Sequence, residues 1–151
     1  MAITTKTIAH VLNSLIETCK DGQEGFRSAS EDISNAALRN LFDELAIERG
    51  RFCSELQRLV AMLGEDAETG GSISGSVHRG WIDLKSALSS GDEHAILAEC
   101  ERGEDAAVAE YREALDQDEI PEGVRDVIRR QFLGVKEAHD RIRDLRDAYK
   151  R

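Results

Sequence analysis

The apolar residues of this chain recur every three or four positions over long stretches, the spacing of amphipathic helices rather than strands. Ile8, Val11, Leu12, Leu15, Cys19, Gly22, Phe26, Ala29 and Ile33 form one such stripe and predict a helix over about residues 4–32. The break at "DISNAA" offers Ser34 or Asn35 as the cap of a second helix. Leu38, Leu41, Leu45, Phe52, Leu56, Leu59 and Leu63 carry that helix to Gly64, a residue suited to ending one.

The texture then changes to "GEDAETGGSISGSVHRG", rich in glycine, serine and acids, which reads as a linker. Val77, Trp81, Leu84 and Leu88 follow as a short amphipathic helix within "SVHRGWIDLKSALSS". A third long helix is expected over about residues 92–117, with Leu97, Cys100, Ala107, Tyr111 and Leu115 on its stripe. "QDEIPEG" turns the chain into a fourth, over about 122–150, striped by Val124, Val127, Ile128, Gln131, Val135, Ala138, Ile142, Leu145 and Tyr149. The links after the first and third long helices are tight and make antiparallel neighbours. The segment between the second and third, about residues 65–91, is long enough to traverse a bundle. The expected fold is therefore all-α: a ferritin-like antiparallel four-helix bundle with a long crossover carrying a short extra helix. One domain over residues 1–151 accommodates it.

Composition supports helices over sheet. A single proline, Pro121, and 5% aromatic residues leave little material for a turn-rich β fold. The net charge of -10 opposes binding to nucleic acid or to anionic membrane surfaces, both of which require a basic face. "MAITTKTIAHVLNSLIE" has no run of apolar residues long enough for a signal peptide or a membrane span. Cys19, Cys53 and Cys100 are an odd set without a CxxC spacing, which fits free thiols filling a core in a reducing cytoplasm.

The polar residues that interrupt the stripes carry the candidate chemistry. Glu104 in "ECERGEDAAVAEYREAL" falls where a core residue belongs, and a buried carboxylate needs a partner or a metal. Arg49 is the polar residue nearest the stripe centre of the second helix, and Gln131 is central on the fourth. If the second and third long helices run parallel, Arg49 and Glu104 lie within about one turn of each other, and the three residues meet near mid-bundle as a structural polar core. The competing set is Glu101, Glu104 and His139, a weak or mononuclear site for iron, manganese or zinc. A di-iron bundle needs Glu-x-x-His on two helices, and none of the four histidines, at 10, 78, 94 and 139, has Glu three positions before it. His78 and Arg79 are read as capping or ion-pairing residues, and the glycines of "GGSISGSV" lack the GKS or GKT of a phosphate loop.

The stretches "LIETCKDGQEGF", "GSISGSVHRGWIDLKSA", "ECERGEDAA" and "HDRIRDL" together resemble a bacterial ferritin-like family of four-helix-bundle proteins carrying a domain of unknown function, distant relatives of ferritins and rubrerythrins. That resemblance implies the bundle fold and a cytoplasmic bacterial setting, and it brings no activity and no catalytic residues. The expected function is thus a non-catalytic or stress-related bundle with a structural polar core, without a cofactor, assembled as a homodimer. The alternative is a metal-binding protein or an oxidoreductase of the ferritin-like class, with one or two metals. Arg49 divides the two, because a guanidinium at the centre opposes a cation there.

Overall fold

The chain is described by a computed structural model covering residues 4–67, 81 and 83–149. Thr4 opens the first helix, its hydroxyl accepting from the Thr7 amide at 3.1 Å, and α1 runs over Thr5–Asp32. Of the two expected caps, Asn35 is the one used: its side chain accepts from the Leu38 amide at 3.0 Å, starting α2, Ala36–Met62. Gly64 takes a left-handed φ of 77° just past that helix, a conformation a side chain would disfavour. α3 covers Leu84–Ser90, α4 Glu93–Leu115 and α5 Glu122–Ala148. Among the described residues there is no strand, so the all-α expectation holds for them.

The short helix differs from expectation. It begins at Leu84, and Trp81 precedes it in a turn, its carbonyl accepting from the Leu84 amide at 3.1 Å. Val77, His78, Arg79 and the glycines of "GGSISGSV" lie outside the described residues.

Side-chain pairings set the helix directions. Asn13 Nδ2 donates to the Asp66 carbonyl at 3.1 Å and Ser30 donates to Asp43, so α1 and α2 are antiparallel. Tyr111 bonds Gln131 and Arg146 bonds Glu101, so α4 and α5 are antiparallel too. Cys19 meets Tyr111, while Gly25 and Gly103 both face Trp81, which sets α1 antiparallel to α4 and leaves α2 and α4 running the same way.

The interior is split in two. One apolar cluster gathers Leu12, Leu15, Ile16, Leu56, Val60, Tyr111 and Ile128 from all four long helices. The other gathers Phe26, Phe42, Leu45, Leu97, Cys100 and Ile142, with Leu84 of α3. Burying these side chains supplies the main drive for folding, about 1.5–3 kcal/mol for each large one. Between the clusters, at Gly22, Arg49 and Glu104, the stripe changes from apolar to polar.

The Trp81 indole packs edge-on to Phe26, with ring centroids 5.1 Å apart and planes at 78°. It sits over Gly25 of α1 and Gly103 of α4, where any Cβ would overlap its ring. Two glycines on facing helices thus make the slot that holds the end of the crossover.

Candidate functional site

Arg49 and Glu104 are the most deeply buried charged residues among those described, 1% and 0% exposed. Arg49 Nη2 donates to Glu104 Oε2. The guanidinium also lies 5.7 Å from the Phe26 ring centroid, within cation–π reach. Gly22 makes the room: a Cβ there would stand 2.8 Å from Arg49 Nη1 and 3.3 Å from its Cγ. Burial works against the arginine charge, but Glu104 beside it more than compensates and holds its pKa above the ordinary value. The pair is single-pronged. Arg49 Nε and Nη1 and Glu104 Oε1 have no hydrogen-bond partner among the described residues.

Gln131 does not join this pair. It is fully buried in the other half of the core, where the Tyr111 hydroxyl donates to its Oε1 at 2.7 Å. Cys19 Sγ lies 3.1 Å from the same hydroxyl. With Tyr111 donating to Gln131, the thiol is the donor to Tyr111. The Gln131 amide in turn donates to Glu55 Oε1 at 2.7 Å and to the Phe52 carbonyl at 3.3 Å. Burial tends to raise the Glu55 pKa, but the donors Arg130 and Gln131 outweigh it and hold that carboxyl below its usual range. The result is a chain of hydrogen bonds from a buried thiol to a partly exposed carboxylate. Its members have ordinary reasons to be there, since a buried tyrosine hydroxyl or amide needs partners. Burial pushes the Cys19 thiol up to about 12, so it stays protonated and able to donate.

The expected trio of Arg49, Glu104 and Gln131 is therefore divided between two networks. Tyr111, on the α4 stripe two turns beyond Glu104, meets Gln131 instead, because the α4–α5 register sets it opposite. The roles of Cys19, Tyr111 and Glu55 in these networks are not visible in the stripes, where the first two count as apolar and the third lies off the face. The signal for Tyr111 was its hydroxyl, which requires a partner wherever the ring is buried.

A second group lies on the outside of the α4–α5 hairpin. Glu101, Asp105 and His139 each offer one atom, and the three atoms lie within 4.8 Å of one another. His139 Nε2 is 2.6 Å from Asp105 Oδ1 and 3.7 Å from Glu101 Oε2. Glu104 is not part of it. At 100° per residue Glu101 and Asp105 share a face, while Glu104 is turned inward to Arg49. The expected metal set of Glu101, Glu104 and His139 is thus not brought together, and Asp105 stands in the place given to Glu104. His139 Nδ1 is 3.0 Å from Asp140 Oδ1. Adjacent helix residues do not share a face, yet the imidazole reaches back to its neighbour's carboxylate. His139 and Lys136 hold the Asp140 carboxyl down at about 2.

All three cysteines are buried free thiols, as their places on the stripes suggest. No helix among the described residues is long and apolar enough to cross a membrane.

The profile of one protein family, described as Domain of unknown function (DUF2383), matches residues 7–117. The chain belongs to this family. A comparison with curated proteins finds no match. The DUF2383 match spans α1 to the end of α4 and so includes Cys19, Arg49, Glu101, Glu104, Asp105 and Tyr111. It stops short of α5, which contributes Gln131 and His139.

Proposed function

We propose that this DUF2383 protein is a non-catalytic four-helix-bundle protein of the ferritin-like class, working in the cytoplasm, in which an ion pair takes the central position that iron-binding bundles give to metal ligands. The observation that supports this reading is the Arg49–Glu104 pair, with both side chains fully buried. Glu104 is the one carboxylate found fully buried among the described residues, and its partner is already a cation. A metal ion at that position would face a guanidinium within a low-dielectric interior, where like charges repel strongly. Buried free thiols suit a reducing compartment. Assembly as a homodimer is part of this reading, and light scattering tests it; Ile47, Met62 and Leu133 are large apolar side chains exposed among the described residues.

Ferrous iron added without oxygen and then exposed to air tests the central part of the reading. Oxidation in the presence of the protein is expected to proceed at the rate seen in buffer. Protein-accelerated oxidation that disappears in Glu104→Gln would overturn it.

A further inference from the structure

We propose that Glu101, Asp105 and His139 form an exchangeable site for a divalent transition cation of zinc type on the outer face of the α4–α5 hairpin. The proposal is independent of the buried ion pair, with which the site shares no side chain.

The case starts from the histidine. Its Nδ1 faces Asp140 Oδ1 at 3.0 Å, and with the ring hydrogen on Nδ1 this contact is a donated hydrogen bond. In the neutral ring that leaves Nε2 as a bare lone pair. This lone pair points at two further acceptors, Asp105 Oδ1 at 2.6 Å and Glu101 Oε2 at 3.7 Å. In that tautomer three lone-pair atoms converge on one point and repel unless a proton or a metal cation lies between them. A proton on Nε2 satisfies one contact, to Asp105, and leaves Glu101 Oε2 at a distance too long for a hydrogen bond. A metal ion satisfies all three.

Supporting contacts hold the ligands from behind. Glu101 gives its other oxygen, Oε1, to Arg146, so Oε2 is the atom left facing inward. Asp140 is gripped by Lys136 Nζ at 2.9 Å to each oxygen and by Arg143 at 3.4 Å. A carboxylate that accepts from the far nitrogen of a ligating histidine is a recurrent outer partner of metal sites, where it fixes the ring and raises its basicity. His139 and Glu101 are 14% and 13% exposed, held largely in place by their surroundings, whereas Asp105 is 63% exposed and free to adjust.

The spacing fits after a small movement. Tetrahedral ligands at about 2.0–2.1 Å from zinc stand about 3.3 Å apart. The histidine–Glu101 separation of 3.7 Å is already near this, and the 2.6 Å contact opens by rotation of the exposed Asp105 side chain. Two carboxylates and one imidazole are a donor set for zinc, with water at the fourth position, and are too nitrogen-poor and too few for a closed structural site. The like charges of Glu101 and Asp105, one turn apart on α4, are mutually relieved by the ion.

Zinc binding to the full chain, measured by equilibrium dialysis near neutral pH, tests the proposal. One zinc per chain is expected. His139→Gln and Asp105→Asn should each weaken binding at least tenfold, and Asp140→Asn about tenfold through the ring it orients. Asp105→Asn alters an exposed side chain and keeps the fold, which circular dichroism checks. His10→Gln and His94→Gln should bind zinc as the wild type does. The absence of zinc binding by the wild type overturns the proposal, as does binding retained in His139→Gln or lost equally in His94→Gln. None of these outcomes depends on iron oxidation or on Glu104, so the failure of one reading leaves the other standing.

Discussion

Arg49 and Glu104, 55 positions apart in the chain, meet as a buried ion pair between the two apolar clusters of the interior. Their contact ties α2 to α4, the two long helices that flank the crossover and run in the same direction. Each is costly to bury alone and tolerable only beside the other.

That dependence sets the response to substitution. Glu104→Ala leaves the Arg49 guanidinium unpaired and should cost about 3–5 kcal/mol of stability. Glu104→Gln retains an acceptor for Nη2 and should cost less. Arg49→Met combined with Glu104→Leu should recover much of the loss, since apolar residues of similar volume can replace a buried ion pair. Urea denaturation of the four proteins measures this, and a double variant no more stable than Glu104→Ala would count against the pair as described.

Trp81 reports on its own slot. It is the single tryptophan of the chain, and its ring overlaps the position a Cβ would take on Gly103. Gly103→Ala should expel the indole toward solvent and cost about 1–3 kcal/mol, the range for an overpacked contact. The tryptophan emission should shift to longer wavelength in native buffer. An unshifted spectrum with wild-type stability would refute the packing.

Asp21 makes stability pH-dependent in an unusual direction. Burial, followed by the nearby carboxylates Glu17 and Glu24, raises its pKa to about 7. A folded-state value above the unfolded one means that the native state holds the proton more tightly. The stabilisation is complete below about pH 4 and is lost as pH rises through about 7. Because the group is only partly buried, screening limits the effect to about 1 kcal/mol. Asp21→Asn should therefore be more stable than wild type at pH 8, with little difference at pH 4. Thermal melts at the two pH values decide it.

The thiols should be silent in the folded protein. Cys19 and Cys100 are fully buried, and burial raises both pKa values. A thiol-reactive dye added to native protein at pH 8 is expected to react no faster than the protein opens, and all three cysteines should react in urea. One rapid equivalent in native buffer would show that a thiol is accessible.

The repeat of apolar residues every three to four positions determined the four long helices by itself, because a helix in water must bury one face. The capping candidates Ser34 and Asn35 similarly marked where the first hairpin turns, and Gly64 where the second helix ends, as local bonding and backbone conformation settle such points. Glu104 on a stripe announced that some partner existed, and Arg49 was legible as that partner from the helix phase and the parallel direction of its helix.

Only the tertiary structure decided the rest. The register of α5 against α4 sends Gln131 to Tyr111 instead of Arg49, and a sliding of one turn is invisible in a repeat that looks alike at every turn. The same register brings His139 to Asp105 and Glu101, residues separated from it by more than 30 positions. Trp81 lodges between glycines of two helices because those helices approach closely there, a fact about pairs of surfaces and not about either sequence segment alone. Periodicity names the face of each helix. Which residues touch across two faces depends on axial offset, and that is set by the packing of the whole core.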